Sequence, residues 1–143
     1  MILDSEQATS ALGRAIAAKA RAGDSICLSG PLGVGKTALA RSIIGGLGHR
    51  GEVPSPTFAI VQPYEALDPP IWHVDLYRIE SPREIDELGL DEADRGLLLV
   101  EWPERAGDGA FPGALRLVLD FAGGDARSLT AEVPPSWTAR WPL

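Results

Sequence analysis

The chain has 143 residues, of which 45% are hydrophobic and 23% are charged, and this size and composition fit one globular domain with its own core. Its net charge of −7, with 13 scattered basic residues, argues against stand-alone binding to nucleic acid. No stretch approaches the ~18 consecutive apolar residues of a membrane span, and the N-terminus lacks the layout of a signal peptide. We therefore expect a cytoplasmic protein that does not bind membranes.

The first expected element is an amphipathic helix over residues 4–21. Asp4 is a candidate N-cap because Gln7 follows it three residues later, and Gly23 is expected to end the helix. Its apolar face consists of Ala8, Leu12, Ala15 and Ile16.

A glycine-rich motif follows a short buried strand predicted at Ser25–Ser29. Residues 30–37 read GPLGVGKT, a full match to G-x-x-x-x-G-K-[ST], and open a helix predicted over residues 36–47. The glycines at 30, 33 and 35 permit the dihedral angles with which backbone N–H groups surround an anion. In this motif the lysine, Lys36, reaches the outer phosphates, and the hydroxyl of Thr37 binds Mg²⁺. The sequence therefore predicts a site for a nucleoside triphosphate.

Two hairpins are predicted beyond this motif. Residues 57–63 and 71–77 indicate an antiparallel pair, and residues 115–121 with 129–133 indicate a second pair at a sheet edge. Between them, Ser81 and Pro82 begin a short helix that Gly89 ends.

The run LLLVE at residues 97–101 is aliphatic without interruption and favours a central strand that is covered on both faces. Together these elements predict one α/β domain over residues 1–143, similar to P-loop NTPases, with a mixed central sheet flanked by helices. Residues 134–143 form an irregular tail in this prediction. Cys27, the only cysteine, lies within the strand before the phosphate loop and is expected to be a packed thiol.

Acidic residues near the loop are needed to complete a magnesium nucleotide site. Glu101 ends the aliphatic run and is the preferred Mg²⁺ ligand, while Asp75 is the candidate to orient the attacking water. Thr57 follows the second helix and is a candidate to contact the γ-phosphate or that water. His73 shares a strand face with Asp75, and a histidine beside a carboxylate is more typical of a structural pair than of catalysis.

Four motifs occur in order along the chain: GPLGVGKT, VPSPTF, HVDLYR and LVEWPE. This combination resembles the bacterial TsaE family, also called YjeE, over residues of about 6–127. The resemblance implies a small α/β ATPase that uses ATP and Mg²⁺. It also implies that the protein acts with TsaB and TsaD in making threonylcarbamoyladenosine in tRNA.

The resemblance also implies roles for individual residues. Thr37 and Glu101 would contact Mg²⁺, Asp75 would be needed for hydrolysis, and Thr9, Glu104 and Arg127 would approach the nucleotide. The chain departs from the family at Pro31, where many members have aspartate. The nucleotide-binding residues expected from the motif and the resemblance are Thr9, Pro31, Leu32, Gly33, Val34, Gly35, Lys36, Thr37, Ala38, Glu104 and Arg127. The residues expected to take part in catalysis are Lys36, Thr57, Asp75 and Glu101.

Two other functions are compatible with the phosphate loop alone. A small-molecule kinase shares the loop, but residues after Glu101 offer Arg105 and no arginine cluster for a basic lid. A non-hydrolysing module would use ATP only to shape a docking surface. A guanine-specific switch is disfavoured because the chain contains no asparagine and so has no NKxD motif.

Overall fold

The computed structural model of the chain describes residues 1–54 and 60–141, and residues 91 and 92 by their backbone alone. Seven strands of the described residues form one mixed sheet in the order β1-β7-β6-β2-β5-β4-β3. The strands are β1 (Ile2–Leu3), β2 (Ser25–Ser29), β3 (Val61–Tyr64), β4 (Ile71–Asp75), β5 (Leu97–Glu101), β6 (Leu115–Phe121) and β7 (Arg127–Glu132). This is an α/β fold of the P-loop type, which confirms the predicted fold class.

The four middle strands of this sheet, β6, β2, β5 and β4, are parallel, and antiparallel strands extend it on both sides. β5 lies between β2 and β4 with its neighbours in register from Ile71 opposite Leu97 to Asp75 opposite Glu101. The strand predicted to be central is therefore central. Carboxyl ends of parallel strands lie at one edge of a sheet. The last residues of β2, β4 and β5 therefore lie close together at that edge.

Two helices pack on one face of the sheet. They are α1 (Glu6–Lys19) and α2 (Lys36–Gly46). The predicted N-cap of α1 was wrong by one residue: Ser5, not Asp4, caps the helix, because its hydroxyl accepts from the N–H of Ala8. At the other end, α1 stops at Lys19, two residues before the predicted end, with Ala20 in extended backbone.

Buried aliphatic side chains lie on both sides of the sheet. Ile16 of α1 and Ile43 of α2 pack against Leu28 and Leu99 on one face. The opposite face, around Val100, is covered by loop segments and by three short 3₁₀ helices, Pro82–Leu88, Leu90–Arg95 and Pro103–Ala106. None of the helices within the described ranges is long and apolar enough to cross a membrane.

The two hairpins are present, but with differences. Residues 57–59 of the first predicted strand lie outside the described residues; the strand begins at Val61, and its partner ends at Asp75, not at residue 77. The second hairpin is not at a sheet edge, because β6 pairs with β2 and β7 pairs with β1. The tail also differs from an irregular segment: it contains the 3₁₀ helix Pro135–Trp137, and Trp137 is fully buried.

Two helical glycines give a matched test of the α1–α2 contact. A Cβ at Gly13 would collide with the Cβ of Ser42, whereas a Cβ at Gly45 would meet nothing within 4 Å. We expect Gly13→Ala to lower the free energy of unfolding by about 1–3 kcal/mol, as overpacking does. Gly45→Ala should raise it by up to about 1 kcal/mol, because alanine favours a helix over glycine. Urea unfolding of both variants measures this, and a Gly13→Ala protein as stable as wild type would contradict the close helix contact.

Candidate active site

The phosphate loop joins β2 to α2 with the backbone that the motif requires. Gly30, Gly33 and Gly35 all have positive φ, at 145°, 79° and 116°. A Cβ at Gly30 would also collide with the carbonyl oxygen of Leu119, so glycine is needed there for space as well as for conformation. α2 then begins at Lys36 with no side-chain cap on its first N–H groups. An uncapped helix N-terminus of this kind favours an anion.

Thr37 and Glu101 meet directly at the edge of the sheet. The Thr37 hydroxyl donates to Oε1 of Glu101 over 2.8 Å, although 64 residues separate the two in sequence. Asp75 ends β4 in register with Glu101, and its Oδ1 accepts from the N–H of Tyr77 at 2.9 Å. The structure thus brings together three side chains that the sequence analysis selected.

Burial shifts the pKa of Asp75. Asp75 is 7% exposed, and this burial raises the pKa of its carboxyl above the ordinary value. The N–H of Tyr77 opposes this shift, while the nearby carboxylate of Glu101 adds to it.

Lys36 lies under the cleft, not in open solvent. Its Nζ donates to the carbonyl oxygens of Gly30 at 2.6 Å and Pro31 at 2.9 Å, and lies 4.0 Å from the ring centroid of Trp102. Burial lowers the pKa of Lys36, and the carboxylates of Glu101, Glu104 and Asp75 oppose that shift.

A cleft of about 320 Å³ opens over these groups. Lys36, Thr37, Asp75 and Glu101 line its floor, and Leu32, Gly33, Gly35 and Ala38 belong to the loop and the start of α2. Tyr77 and Trp102 form its remaining wall, with their ring centroids 4.9 Å apart. Trp102 therefore borders the cleft.

A second cleft, of about 450 Å³, lies on the other side of the loop and shares Gly33, Gly35 and Ala38 with the first. Val34, Thr9 and Arg127 line it. Arg127 donates from Nε to the carbonyl oxygen of Val34 at 2.8 Å, so the last hairpin is attached to the loop. Two of the three residues added by the family resemblance, Thr9 and Arg127, thus lie beside the predicted phosphate site.

The remaining residues predicted to belong to the site are Glu104, Pro31 and Thr57. Glu104 lines neither cleft, although its charge is close enough to raise the pKa of Lys36. Pro31 contributes a carbonyl oxygen to Lys36 and no cleft surface. Thr57 lies outside the described residues.

The oxygen groups at the cleft floor suit magnesium. A hydroxyl and two carboxylates are hard ligands, and Mg²⁺ is commonly held by one or two carboxylates together with waters and phosphate oxygens. Among the described residues no group of three or more His, Cys, Asp or Glu side chains is arranged to hold a metal ion by itself. Thr37 and Glu101 are the residues that would hold such an ion.

Comparisons with known proteins place this chain in a family. The sequence model described as "Threonylcarbamoyl adenosine biosynthesis protein TsaE" matches residues 3–129. The chain belongs to the TsaE family. It is similar to the tRNA threonylcarbamoyladenosine biosynthesis protein TsaE of Streptomyces coelicolor, with 44% identity over 80% of each chain. The protein of that name from Bacillus subtilis is 39% identical over 85% of this chain and 77% of its own.

A solved structure supports the same assignment. The crystal structure of Bacillus subtilis YdiB superimposes with a TM-score of 0.78 at 32% identity, covering 95% of this chain and 85% of YdiB. The chain spans 62% and 59% of the TsaE proteins of Rickettsia felis and Rickettsia conorii, less than two thirds of their length.

The partner of His73 differs from the one expected from the sequence. His73 was paired with Asp75 by strand periodicity, yet its Nε2 lies 2.7 Å from Oε2 of Glu101. The strand register, which the sequence alone does not supply, places β4 beside β5 and brings the two side chains together.

The reactivity of Cys27 tests whether its thiol is buried in β2, the strand before the phosphate loop. Its side chain is 1% exposed, and burial raises the pKa of its thiol from 9.0 to about 11, against a lowering by Arg116. Because the thiolate is the reactive form, and only about 0.1% is present at pH 8 with that pKa, we expect negligible labelling by a thiol reagent. The same chain in denaturant should react readily and serves as the control. Native labelling at the unfolded rate would contradict a packed thiol.

Proposed function

We propose that this protein is a Mg²⁺-dependent ATPase that supports threonylcarbamoyladenosine formation in tRNA by binding TsaB and TsaD. The observation that carries the proposal is the contact between Thr37 of the phosphate loop and Glu101 at the end of β5, with Asp75 beside it. Membership of the TsaE family supports the tRNA pathway.

The residues of the cleft have different proposed roles in the transfer of the γ-phosphoryl group to water. Loop N–H groups and Lys36 hold the phosphates and stabilise the charge that develops on the γ-phosphate. Thr37 and Glu101 would hold Mg²⁺, which neutralises phosphate charge when bound. Asp75 borders the same cleft, which supports its proposed role of orienting the attacking water.

No arginine is among the described residues that line the phosphate cleft. An arginine finger is worth about 10³- to 10⁵-fold in rate in other P-loop enzymes. We therefore expect slow turnover by the protein alone and faster turnover when partners complete the site.

Steady-state ATP turnover in Mg²⁺, titrated with TsaB and TsaD, tests the proposal. A slow rate that rises and saturates is expected. A response that stays flat contradicts partner stimulation. Phosphate transferred to a nucleoside or sugar instead of released would favour the kinase, and nucleotide retained without phosphate release would favour the non-hydrolysing module.

Two alanine variants test the assigned roles. Lys36→Ala and Glu101→Ala should each lower turnover by about 10²-fold or more, the size expected for loss of one preorganised group. Lys19→Ala is the matched control, because Lys19 is exposed in the last turn of α1. Full activity in either site variant would refute its role.

Asp75→Asn separates catalysis from binding. The amide keeps the size of the side chain but not its charge, so it should orient water poorly and lower kcat by about 10²-fold. The dissociation constant for ATP should stay within about threefold of wild type, because Asp75 is not assigned a nucleotide contact. A large loss of ATP affinity with unchanged kcat would contradict the assignment. Equilibrium binding together with single-turnover kinetics measures both.

A further inference from the structure

His73 lies on β4 and is fully buried, with 0% exposure. Its Nε2 is 2.7 Å from Oε2 of Glu101, and its Nδ1 has no hydrogen-bond partner among the described residues. Carboxylate oxygens accept hydrogen bonds, so Nε2 is assigned as the donor of this pair. The tautomer with its proton on Nε2 fits this geometry, because it leaves no buried N–H unpaired at Nδ1.

The two oxygens of Glu101 are consequently not equivalent. Oε2 accepts from His73 and Oε1 accepts from Thr37 at 2.8 Å. The terminal torsion of a glutamate is broad in energy, so the carboxylate plane is easily turned unless partners fix it. Here the partners come from β4 on one side and α2 on the other, and the plane is held from both sides.

We infer that His73 is a positioning residue: it holds Oε2 so that Oε1 alone faces Thr37 and the magnesium site. The inference rests on the proposed function, because it assigns Glu101 to Mg²⁺. A group that orients a metal ligand in this way affects metal affinity by about 10- to 100-fold when it is removed. A histidine that only fills the core would affect stability and leave metal affinity unchanged.

The test is a Mg²⁺ titration of nucleotide binding. A fluorescent ATP analogue with a methylanthraniloyl group on the ribose is bound at increasing free Mg²⁺, starting from EDTA, and the Mg²⁺ midpoint is compared among variants. His73→Leu removes the donor. His73→Gln keeps an N–H at a similar reach from the backbone. His49→Gln is the matched control, because His49 lies outside both clefts and contacts the carbonyl oxygen of Glu52.

We expect the midpoint to rise about tenfold or more in His73→Leu and to stay within about threefold of wild type in His73→Gln and His49→Gln. Affinity for the analogue in EDTA should be similar in all four proteins. An unchanged midpoint in folded His73→Leu overturns the inference while leaving the proposed function intact. Binding of the analogue by wild type without any dependence on Mg²⁺ overturns both.

A measurement on the wild-type protein does not depend on any variant folding. Two-dimensional ¹⁵N NMR of the histidine rings distinguishes protonated from unprotonated ring nitrogens. We expect Nε2 of His73 to be protonated, and assignment of the signals uses the His49→Gln variant, because the chain has two histidines. A ring protonated only at Nδ1 has no proton to donate to Glu101 and overturns the inference.

Discussion

The carboxylate of Glu101 is 2% exposed and accepts hydrogen bonds on both oxygens, from Thr37 and from His73. A buried carboxylate without partners would cost several kcal/mol, so these two contacts have to form together with the sheet. They also join three parts of the chain that are distant in sequence: the start of α2, the end of β5 and the middle of β4. Because α2 begins at Lys36, directly after the loop, the position of the loop depends on the same contacts.

The charge around the cleft bears on the proposal that the nucleotide binds together with Mg²⁺. Lys36 and the N-terminus of α2 attract phosphate, but Glu101, Asp75 and Glu104 lie close enough to act on the charge of Lys36. A triphosphate placed beside these carboxylates would be repelled if one lysine and a helix end were its only counter-charges. The proposed Mg²⁺ would resolve this conflict, because a divalent cation is attracted both to carboxylates and to phosphates. The acidic residues are thus as much a part of the proposed ATP site as the glycine loop.

Sequence patterns predicted the parts of this site that depend on residues close to one another in the sequence. The loop, the strand before it and the helix after it follow from one local motif, and the aliphatic run at Leu97–Glu101 was recognisable as a buried strand. Contacts set by strand order were not predictable. β1 has two residues and no periodicity, and it exists only because it pairs with β7, more than 120 residues away. The interior position of β6 and the pairing of His73 with Glu101 likewise depend on strand order and register. The sequence of a single strand does not determine either of them.

The structure of the tail could not be predicted from the sequence for a different reason. Residues 134–141 have no periodicity and are held by individual contacts: Trp137 is fully buried, and Arg140 stacks on its ring at 3.9 Å. Arg140 also forms a bidentate pair with Asp24, at 2.7 and 3.0 Å, and donates to the carbonyl oxygen of Lys19. Asp24 directly precedes β2, whereas the phosphate loop leaves the other end of that strand. The tail therefore fastens the amino end of β2 and the end of α1, at the opposite edge of the sheet from the site. This geometry gives the tail a structural role that is separate from the chemistry of the cleft.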